Sequence, residues 1–254
     1  MSNDKSCGSQ AGNTLLTNSL RLYSPIMRNK FTCIIPFHNE GKNTLSVIKK
    51  VLKVKLINQI ICVDDGSTDG IYNTVKKTFP EVDIFRFKKN RGKANAVLAG
   101  VKRARNNNVV LLDADLKLLK STELSKALNV FLSREDIDML ILKIGGTNKI
   151  TDEALRKFIF QGGNRIMYKK DLQKIQALSP TGYQLEVAIN KFMLDNRKNY
   201  YWVEFSAFNP HKSRKSNFWQ GLYDDFKMNN QIINYLGIKD YLSQMFLFAR
   251  KELK

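Results

Sequence analysis

The chain has 254 residues, of which 43% are apolar and 26% are charged. This composition is ordinary for a globular protein and excludes collagen-like, low-complexity and wholly disordered chains. Lysine and arginine number 42 against 23 aspartate and glutamate residues, which gives a formal net charge of +19. Such a charge attracts nucleic acid, anionic lipid and phosphorylated small molecules, although a merely solvated basic surface produces the same balance. Charge alone does not choose among these readings.

The sequence favours a reducing, cytoplasmic setting. No apolar run reaches the roughly 18 residues of a spanning helix, and the N-terminus lacks the apolar core of a signal peptide. The three cysteines, Cys7, Cys33 and Cys62, form neither a disulfide framework nor a metal-binding C-x-x-C motif. We expect Cys33 and Cys62, which lie in apolar runs, to be small core residues.

In chain order, a Ser-, Asn- and Gly-rich segment over 1–30 predicts a mobile N-terminal arm. Beyond it, apolar runs alternate with amphipathic segments. The runs typical of buried strands lie at 31–36, 57–63, 82–87 and 109–112. The segments with helical spacing lie at 43–54, 69–79 and 92–104. This alternation predicts an α/β fold with a Rossmann-like, mostly parallel central sheet flanked by helices.

The pattern continues less regularly through the second half. Further helices are predicted at 121–132 and 182–194, further strands at 138–144 and 200–208, and an interrupted amphipathic stretch at 154–160. No linker follows residue 30, so we expect one domain over 31–227. A helical apolar stripe over 228–254 predicts a C-terminal amphipathic helix packed on or beside that domain.

Polar clusters follow the predicted strands of the first half. They occupy 36–40, 63–70, 90–96 and 113–115. Because the carboxyl ends of parallel strands meet at one sheet edge, these clusters should converge there. Asp113 and Asp115 suit a hard cation such as Mg²⁺ or Mn²⁺, while Lys93 and the helix N-terminus at Gly92 suit phosphates.

Together the four motifs, P-F-H-N-E, V-D-D-G-S-T-D, N-R-G-K-A and D-A-D, resemble family 2 glycosyltransferases of the GT-A fold. The resemblance is firm over 31–116 and loose over 117–215. It implies transfer of a sugar from a UDP- or GDP-linked donor, with Mn²⁺ or Mg²⁺ stabilising the departing nucleoside diphosphate. The residues that it implies for the donor nucleotide are Pro36, Glu40, Asp65, Lys93 and Asp113.

The resemblance also implies the metal ligands Asp113, Asp115 and His211, with Asp115 counted among the catalytic residues. His211 is one of two histidines and follows a predicted strand, and a neutral imidazole suits Mn²⁺. Simpler readings stay open at each position. An aspartate after a strand often caps the next helix, a first-turn lysine such as Lys93 can be solvated, and a loop histidine can be a bystander.

Two further segments concern the acceptor side. Residues 161–168 resemble the family's glycine-rich acceptor loop and a short strand, which assigns Gly163 and Arg165 to the acceptor, although a plain turn gives the same pattern. Glu186 occupies the place where inverting members hold a general base. The usual Glu-Asp pair is absent, and a first-turn glutamate also favours the helix dipole, so inversion and retention both stay open.

The acceptor itself is left open among a polyprenyl phosphate, a glycolipid and a phosphorylated small metabolite. The 228–254 segment leaves open packing on the domain, a dimer interface, or peripheral contact with the inner face of a membrane. Two other classes of protein fit the sequence less well. The sequence lacks the G-x-G-T-R signature that is usual in nucleotidyltransferases. It also lacks the zinc-ligand spacing, the aromatic ribonucleoprotein motifs and the arginine-rich tail of nucleic-acid-binding proteins, so no nucleic acid partner is expected.

Overall fold

The computed structural model describes residues 29–145, 159–177, 180, 184–208 and 229–253. A seven-stranded sheet runs through them in the order β3-β2-β1-β4-β6-β5-β7. The strands are β1 (Phe31–Phe37), β2 (Ile57–Asp64), β3 (Asp83–Arg86), β4 (Asn108–Leu111), β5 (Met139–Ile144), β6 (Arg165–Tyr168) and β7 (Tyr200–Phe205). The predicted α/β class and mostly parallel sheet are confirmed, since only β6 runs antiparallel to its neighbours β4 and β5.

Seven α-helices among the described residues are named here. They are α1 (Lys42–Val51), α2 (Ile71–Thr78), α3 (Lys93–Arg103), α4 (Ser121–Ser133), α5 (Lys169–Gln176), α6 (Gln184–Asp195) and α7 (Ile238–Ala249). A 3₁₀ turn spans Ile159–Gln161, and residues 229–236 are also helical. None of the described helices is long and apolar enough to cross a bilayer.

The sheet has a buried apolar cluster on each face, which explains the near-continuous apolar runs of its strands. Within β1, Ile34 belongs to one cluster and Ile35 to the other. Helix α3 approaches β1 so closely that a Cβ on Gly100 would lie 2.5 Å from Ile34 Cγ2. Only a glycine permits this distance, so α3 and the motif at its N-terminus are held tightly against the central strands.

Two features of the second half differ from the sequence-based expectation. Helix α5 was not predicted, because only three of its eight residues are buried and its sequence is dominated by polar side chains. The predicted single helix over 228–254 is interrupted at Gly237, whose φ of 80° is a left-handed conformation that ends one helix before α7 begins.

The C-terminal segment packs on the domain. Phe248 stacks on Tyr200 with ring centroids 4.0 Å apart, and Tyr241 meets Phe160 edge to face at 5.4 Å. Beyond α7, Glu252 forms a parallel bridge with Trp202 of β7. These contacts join the described residues of the segment to β7 and to the 3₁₀ turn.

Candidate active site

The loops that follow β1 and β2 are joined to each other at the carboxyl edge of the sheet. The Asn39 amide donates to Ser67 Oγ at 2.9 Å, and the Thr68 amide donates back to Asn39 Oδ1 at 2.8 Å. The Gly41 amide donates to Asp69 Oδ2 at 3.1 Å. These bonds bring the first two sequence clusters together, as their positions after neighbouring parallel strands predict.

The aspartates at the end of β2 are buried and already engaged. Asp64 accepts from the Ser67 amide at 2.8 Å and pairs with Arg86 Nε at 3.1 Å. Asp65, predicted to bind the donor base, accepts from the amides of Arg91 and Gly92 at 2.7 and 2.8 Å. Its carboxylate therefore holds the turn that leads into α3, a fixed structural contact that the sequence-based reading did not include.

The centre of the site is an ion-paired lysine. Lys93 Nζ lies 2.7 Å from Asp113 Oδ1 and 3.0 Å from Glu186 Oε1, and 37% of its side chain is exposed. Burial by itself would lower the pKa of Lys93, but the two carboxylates outweigh it and hold the pKa above its ordinary value. Lys93 is thus a fixed cation that joins α3, the end of β4 and the first turn of α6.

Asn164 clamps Asp113 from the other side, and no sequence-based argument identified it. Its Oδ1 accepts from the Asp113 amide at 2.9 Å, and its Nδ2 donates to Asp113 Oδ2 at 3.1 Å. Asn164 is itself buried, and its backbone carbonyl accepts from Leu142 of β5 at 2.9 Å. In the sequence, only the two preceding glycines single out Asn164, and glycines at this position indicate a loop without indicating a functional residue.

Gly163 lies directly over the ion pair. A Cβ at this position would collide with Lys93 Nζ and would lie 3.1 Å from Asp113 Oδ1 and 3.2 Å from Glu186 Oε1. The 161–164 loop therefore needs glycine because its backbone closes over the three charged groups. Beside this contact is a cavity of about 220 Å³, whose walls include Lys93, Asp113, Ile144, Gln161, Gly162, Gly163, Asn164, Glu186, Val187 and Ile232.

Arg165, assigned to the acceptor from sequence, lies beneath the site rather than in it. The residue has no exposed surface. Its guanidinium donates to the carbonyls of Gly162 and Phe160 at 2.6 and 2.8 Å and to Asn190 Oδ1 at 2.7 Å. Because its donors serve the protein interior, Arg165 supports the glycine loop from below and offers no group to an acceptor in this structure.

Asp115 is the half-exposed carboxylate of the site. Desolvation, followed by the charges of Asp113 and Glu40, raises the pKa of Asp115 to about 6. Glu40 Oε2 is buried with no hydrogen-bond partner. Pro36 lies at the same edge, next to last in β1 and paired with Val63. The region around Asp115 therefore concentrates negative charge, which Lys93 offsets only in part.

These carboxylates fit a hard divalent cation, since oxygen ligands and uncompensated negative charge are what Mg²⁺ and Mn²⁺ need. Within the described ranges, no group of three His, Cys, Asp or Glu side chains is already arranged around a metal position. Such an ion would therefore complete its shell with water and substrate oxygens. His211, the third predicted ligand, lies outside the described residues.

The fold and the site define a GT-A-like α/β domain with a phosphate- and metal-compatible edge. Comparison with known sequences agrees: the family described as Glycosyl transferase family 2 matches residues 32–197, which is more than half of the chain. The chain belongs to this family of glycosyltransferases. The resemblance read from the four motifs is thereby confirmed.

Individual relatives match over shorter stretches. An uncharacterized glycosyltransferase of Synechocystis is 32% identical over 98 residues, which covers 36% of this chain and 31% of the relative. An uncharacterized protein of Methanocaldococcus jannaschii is 37% identical over 114 residues, covering 39% and 49%. The chain thus spans less than half of the length of these curated relatives.

The solved structures that it resembles include glucosyl-3-phosphoglycerate synthase from Mycobacterium tuberculosis. The TM-score is 0.66 at 17% identity, covering 86% of this chain and 80% of that chain. That enzyme was solved with Mn²⁺, UDP-glucose and phosphoglyceric acid. At this identity the likeness supports the fold.

Proposed function

We propose that the chain transfers a sugar from a UDP- or GDP-linked donor to an acidic or lipid-linked acceptor, with Mn²⁺ or Mg²⁺ as cofactor, in the cytoplasm. The observation that carries the proposal is the convergence of Lys93, Asp113 and Glu186 beneath Gly163, at one wall of a cavity, with Asp115 half-exposed nearby. We assign the activity to the domain over 31–227.

The donor nucleotide is assigned to the joined loops after β1 and β2. This edge of the sheet contains Pro36, Glu40 and Asp65. Asp65 accepts hydrogen bonds from the turn that leads into α3 and so fixes the position of the helix N-terminus. Lys93, partly exposed at that helix N-terminus, supplies positive charge toward the diphosphate. Asp113 faces the same point, although Lys93 and Asn164 already occupy both of its carboxylate oxygens.

The metal is assigned to Asp115, with Asp113 and His211 as further ligands. When bound, the ion stabilises the negative charge that develops on the departing nucleoside diphosphate. The described chain before His211 supports its inclusion: Phe208 exchanges backbone hydrogen bonds with Lys117 at 2.8 and 3.1 Å, two residues beyond Asp115. Desolvation and the charges of Asp113 and Glu40 raise the pKa of Asp115 more than Lys93 lowers it, so a bound cation would stabilise the ionised carboxylate.

Glu186 is the acceptor-side carboxylate of the proposal. It lines the cavity from the first turn of α6, and Lys93 fixes its orientation. In an inverting reaction it takes the proton of the acceptor hydroxyl as that oxygen attacks the sugar. In a retaining reaction it orients the acceptor by accepting a hydrogen bond from the same hydroxyl. The cavity walls combine Lys93 and its two carboxylate partners with apolar groups, so they suit an acceptor hydroxyl, and an anionic head would have to lie outside the cavity.

A donor screen tests this proposal. UDP-glucose, UDP-N-acetylglucosamine and GDP-mannose are incubated with the chain, with and without Mn²⁺, and nucleoside diphosphate release is measured. We expect release from one donor, dependent on the metal, and faster in the presence of an acceptor phosphate. The proposal is contradicted if, at saturating Mn²⁺, the chain neither binds any of the donors nor releases nucleoside diphosphate from them.

A further inference from the structure

The C-terminal helices carry an apolar stripe on their outer surface. Its members are Tyr235, Ile238, Leu242, Phe246 and Leu247, with 37%, 66%, 43%, 56% and 41% of their surface exposed. Ile238, Leu242 and Phe246 recur every four residues and so lie along one side of α7. Five of the seven large apolar residues that the described chain exposes belong to this stripe.

The stripe is not needed to hold α7 in place. The opposite face of the helix already packs on the domain through Tyr241, Gln244 and Phe248, which are all buried. Gln244 Nε2 donates to the Val187 carbonyl at 3.3 Å, and Asn190 Nδ2 donates to Gln244 Oε1 at 3.0 Å. Exposed apolar surface of this kind on a globular domain marks an interaction site, so the stripe is a candidate surface for a partner.

Positive charge borders the stripe. Lys239 and Arg250 are exposed on α7 and just beyond it, whereas Lys251 lies over two tyrosine rings of β7. The acidic residue of the first turn, Asp240, pairs with Lys191 at 3.1 Å, so its charge is locally balanced. An apolar face edged by basic side chains, in a chain of net charge +19, complements a surface that is apolar inside and anionic outside. An anionic lipid bilayer has this arrangement.

The same helices form part of the candidate active site. Ile232, within the helical residues 229–236, is one wall of the 220 Å³ cavity. Asn229 Oδ1 accepts hydrogen bonds from Gln161 Nε2 and from the Tyr241 hydroxyl, both at 3.0 Å. The stripe and the cavity are therefore built on one continuous segment, and a surface that contacts the stripe lies close to the cavity wall.

We propose that the apolar stripe docks the enzyme on an anionic membrane surface, so that the cavity receives a lipid-linked acceptor whose phosphate lies at the bilayer surface. The identity of the acceptor rests on the function proposed above, whereas the docking does not. A second copy of the chain fits the stripe less well. Side chains of this kind offer on the order of 400 Å² when half exposed, about half of what each partner of a stable dimer buries, and the basic borders of two copies repel.

Flotation of the full chain with vesicles tests the docking. Vesicles of phosphatidylcholine alone are compared with vesicles that also contain phosphatidylglycerol, at low and high salt. We expect binding to the anionic vesicles that weakens with salt. The variant Leu242→Ser/Phe246→Ser should bind roughly tenfold or more weakly. The variant Lys239→Glu/Arg250→Glu should bind at least about 25-fold more weakly, because the loss of each basic residue near the surface costs about fivefold and the added carboxylates repel the anionic lipid.

Matched controls separate the stripe from the rest of the surface. Leu52→Ser removes an exposed leucine elsewhere, and Lys49→Glu/Lys53→Glu makes the same change in net charge on another face. Both controls should bind like the parent. All variants alter exposed side chains, so their circular dichroism and melting temperature should match the parent.

The docking proposal is overturned if the parent stays out of the anionic vesicle fraction at low salt, or if the controls lose as much binding as the stripe variants. It is also overturned if sedimentation equilibrium shows a parent dimer that the stripe variants dissociate, since the stripe is then a contact between copies. Donor turnover in solution, measured separately, reports on the proposed function: docking with no turnover for any donor would contradict that function and leave the surface assignment intact.

Discussion

The half of the domain built from β1 to β4 and the half built from β5 to α7 hold their polar groups by different means. In the first half, buried carboxylates bind backbone amides of neighbouring loops, as Asp65 does with Arg91 and Gly92. In the second half, the side chains of Glu186 and Asn164 reach across to the side chains of Lys93 and Asp113, and Asn164 also accepts from the Asp113 amide. The first arrangement ties loop position to fold stability, whereas the second sets the geometry of charged groups at the cavity.

This difference predicts that substitutions in the two halves fail differently. Removing a carboxylate that holds backbone amides should cost stability first. Disturbing the ion pair around Lys93 should cost turnover first, because charged groups must be positioned accurately for catalysis. Asp115 belongs to neither network, and its substitution should lower turnover while raising the stability of the metal-free protein.

The largest effect is expected for Asp115→Asn, which keeps the size of the side chain and removes its charge. Turnover with Mn²⁺ should fall by about 10³-fold, because the metal loses its ligand. The metal-free protein should become more stable. The pKa of Asp115, raised in the folded state from its ordinary 3.8 to about 6, means that the ionised form weakens the fold increasingly as the pH rises from about 4 to 6.

Thermal unfolding at pH 7.5 checks the second part. Neutralising Asp115 should add about 1–2 kcal/mol to the free energy of unfolding, after allowance for its partial exposure. Glu81→Gln, an exposed carboxylate away from the site, is the control and should change neither quantity. Full turnover of Asp115→Asn at saturating Mn²⁺ would remove the metal assignment.

The next effect is expected for Gly163→Ala. The added methyl collides with Lys93 Nζ, which is the tip of a flexible side chain, so the lysine moves rather than the backbone. Turnover should fall by about 10²-fold, as it does when a charged group is displaced by about an ångström, with little change in melting temperature. Gly162→Ala is the matched control, because its methyl meets Ile159 O at 3.1 Å and not the ion pair. Equal turnover of the two variants would contradict the claim that the ion pair around Lys93 controls turnover.

A third prediction concerns pH. A carboxylate must lose its proton to bind a metal, and the pKa of Asp115 is about 6 in the metal-free protein. The affinity for Mn²⁺ should therefore fall by about tenfold from pH 7 to pH 5. Calorimetric titration at several pH values measures this directly. The same profile in Asp115→Asn would show that another group controls the metal affinity.

The smallest effect on turnover is expected for Asp65→Ala, which removes the acceptor of two backbone amides. The free energy of unfolding should fall by about 2 kcal/mol, measured by urea denaturation. Donor affinity should weaken several-fold and acceptor affinity should stay the same, because the loop that Asp65 holds belongs to the donor side. A loss of donor affinity without any loss of stability would show that Asp65 acts on the base and not through the loop.

The sequence by itself determined the alternation of strands and helices over 31–111, and the structure confirms each of those elements within a few residues. It also determined that the four polar clusters lie at one edge. Both follow from local causes: strands buried on both faces are apolar throughout, and parallel strands end on the same side.

Tertiary structure decided the rest of the site. Contacts between residues far apart in the chain determine three features of the site. They are the antiparallel direction of β6, the inward orientation of Arg165 toward Asn190, and the ion pair of Glu186 with Lys93. An arginine beside two glycines carries the same local pattern whether it faces a ligand or the core. Only the packing of β5, β6 and α6 around it distinguishes the two cases, because burial of a charged group is set by all of its neighbours at once.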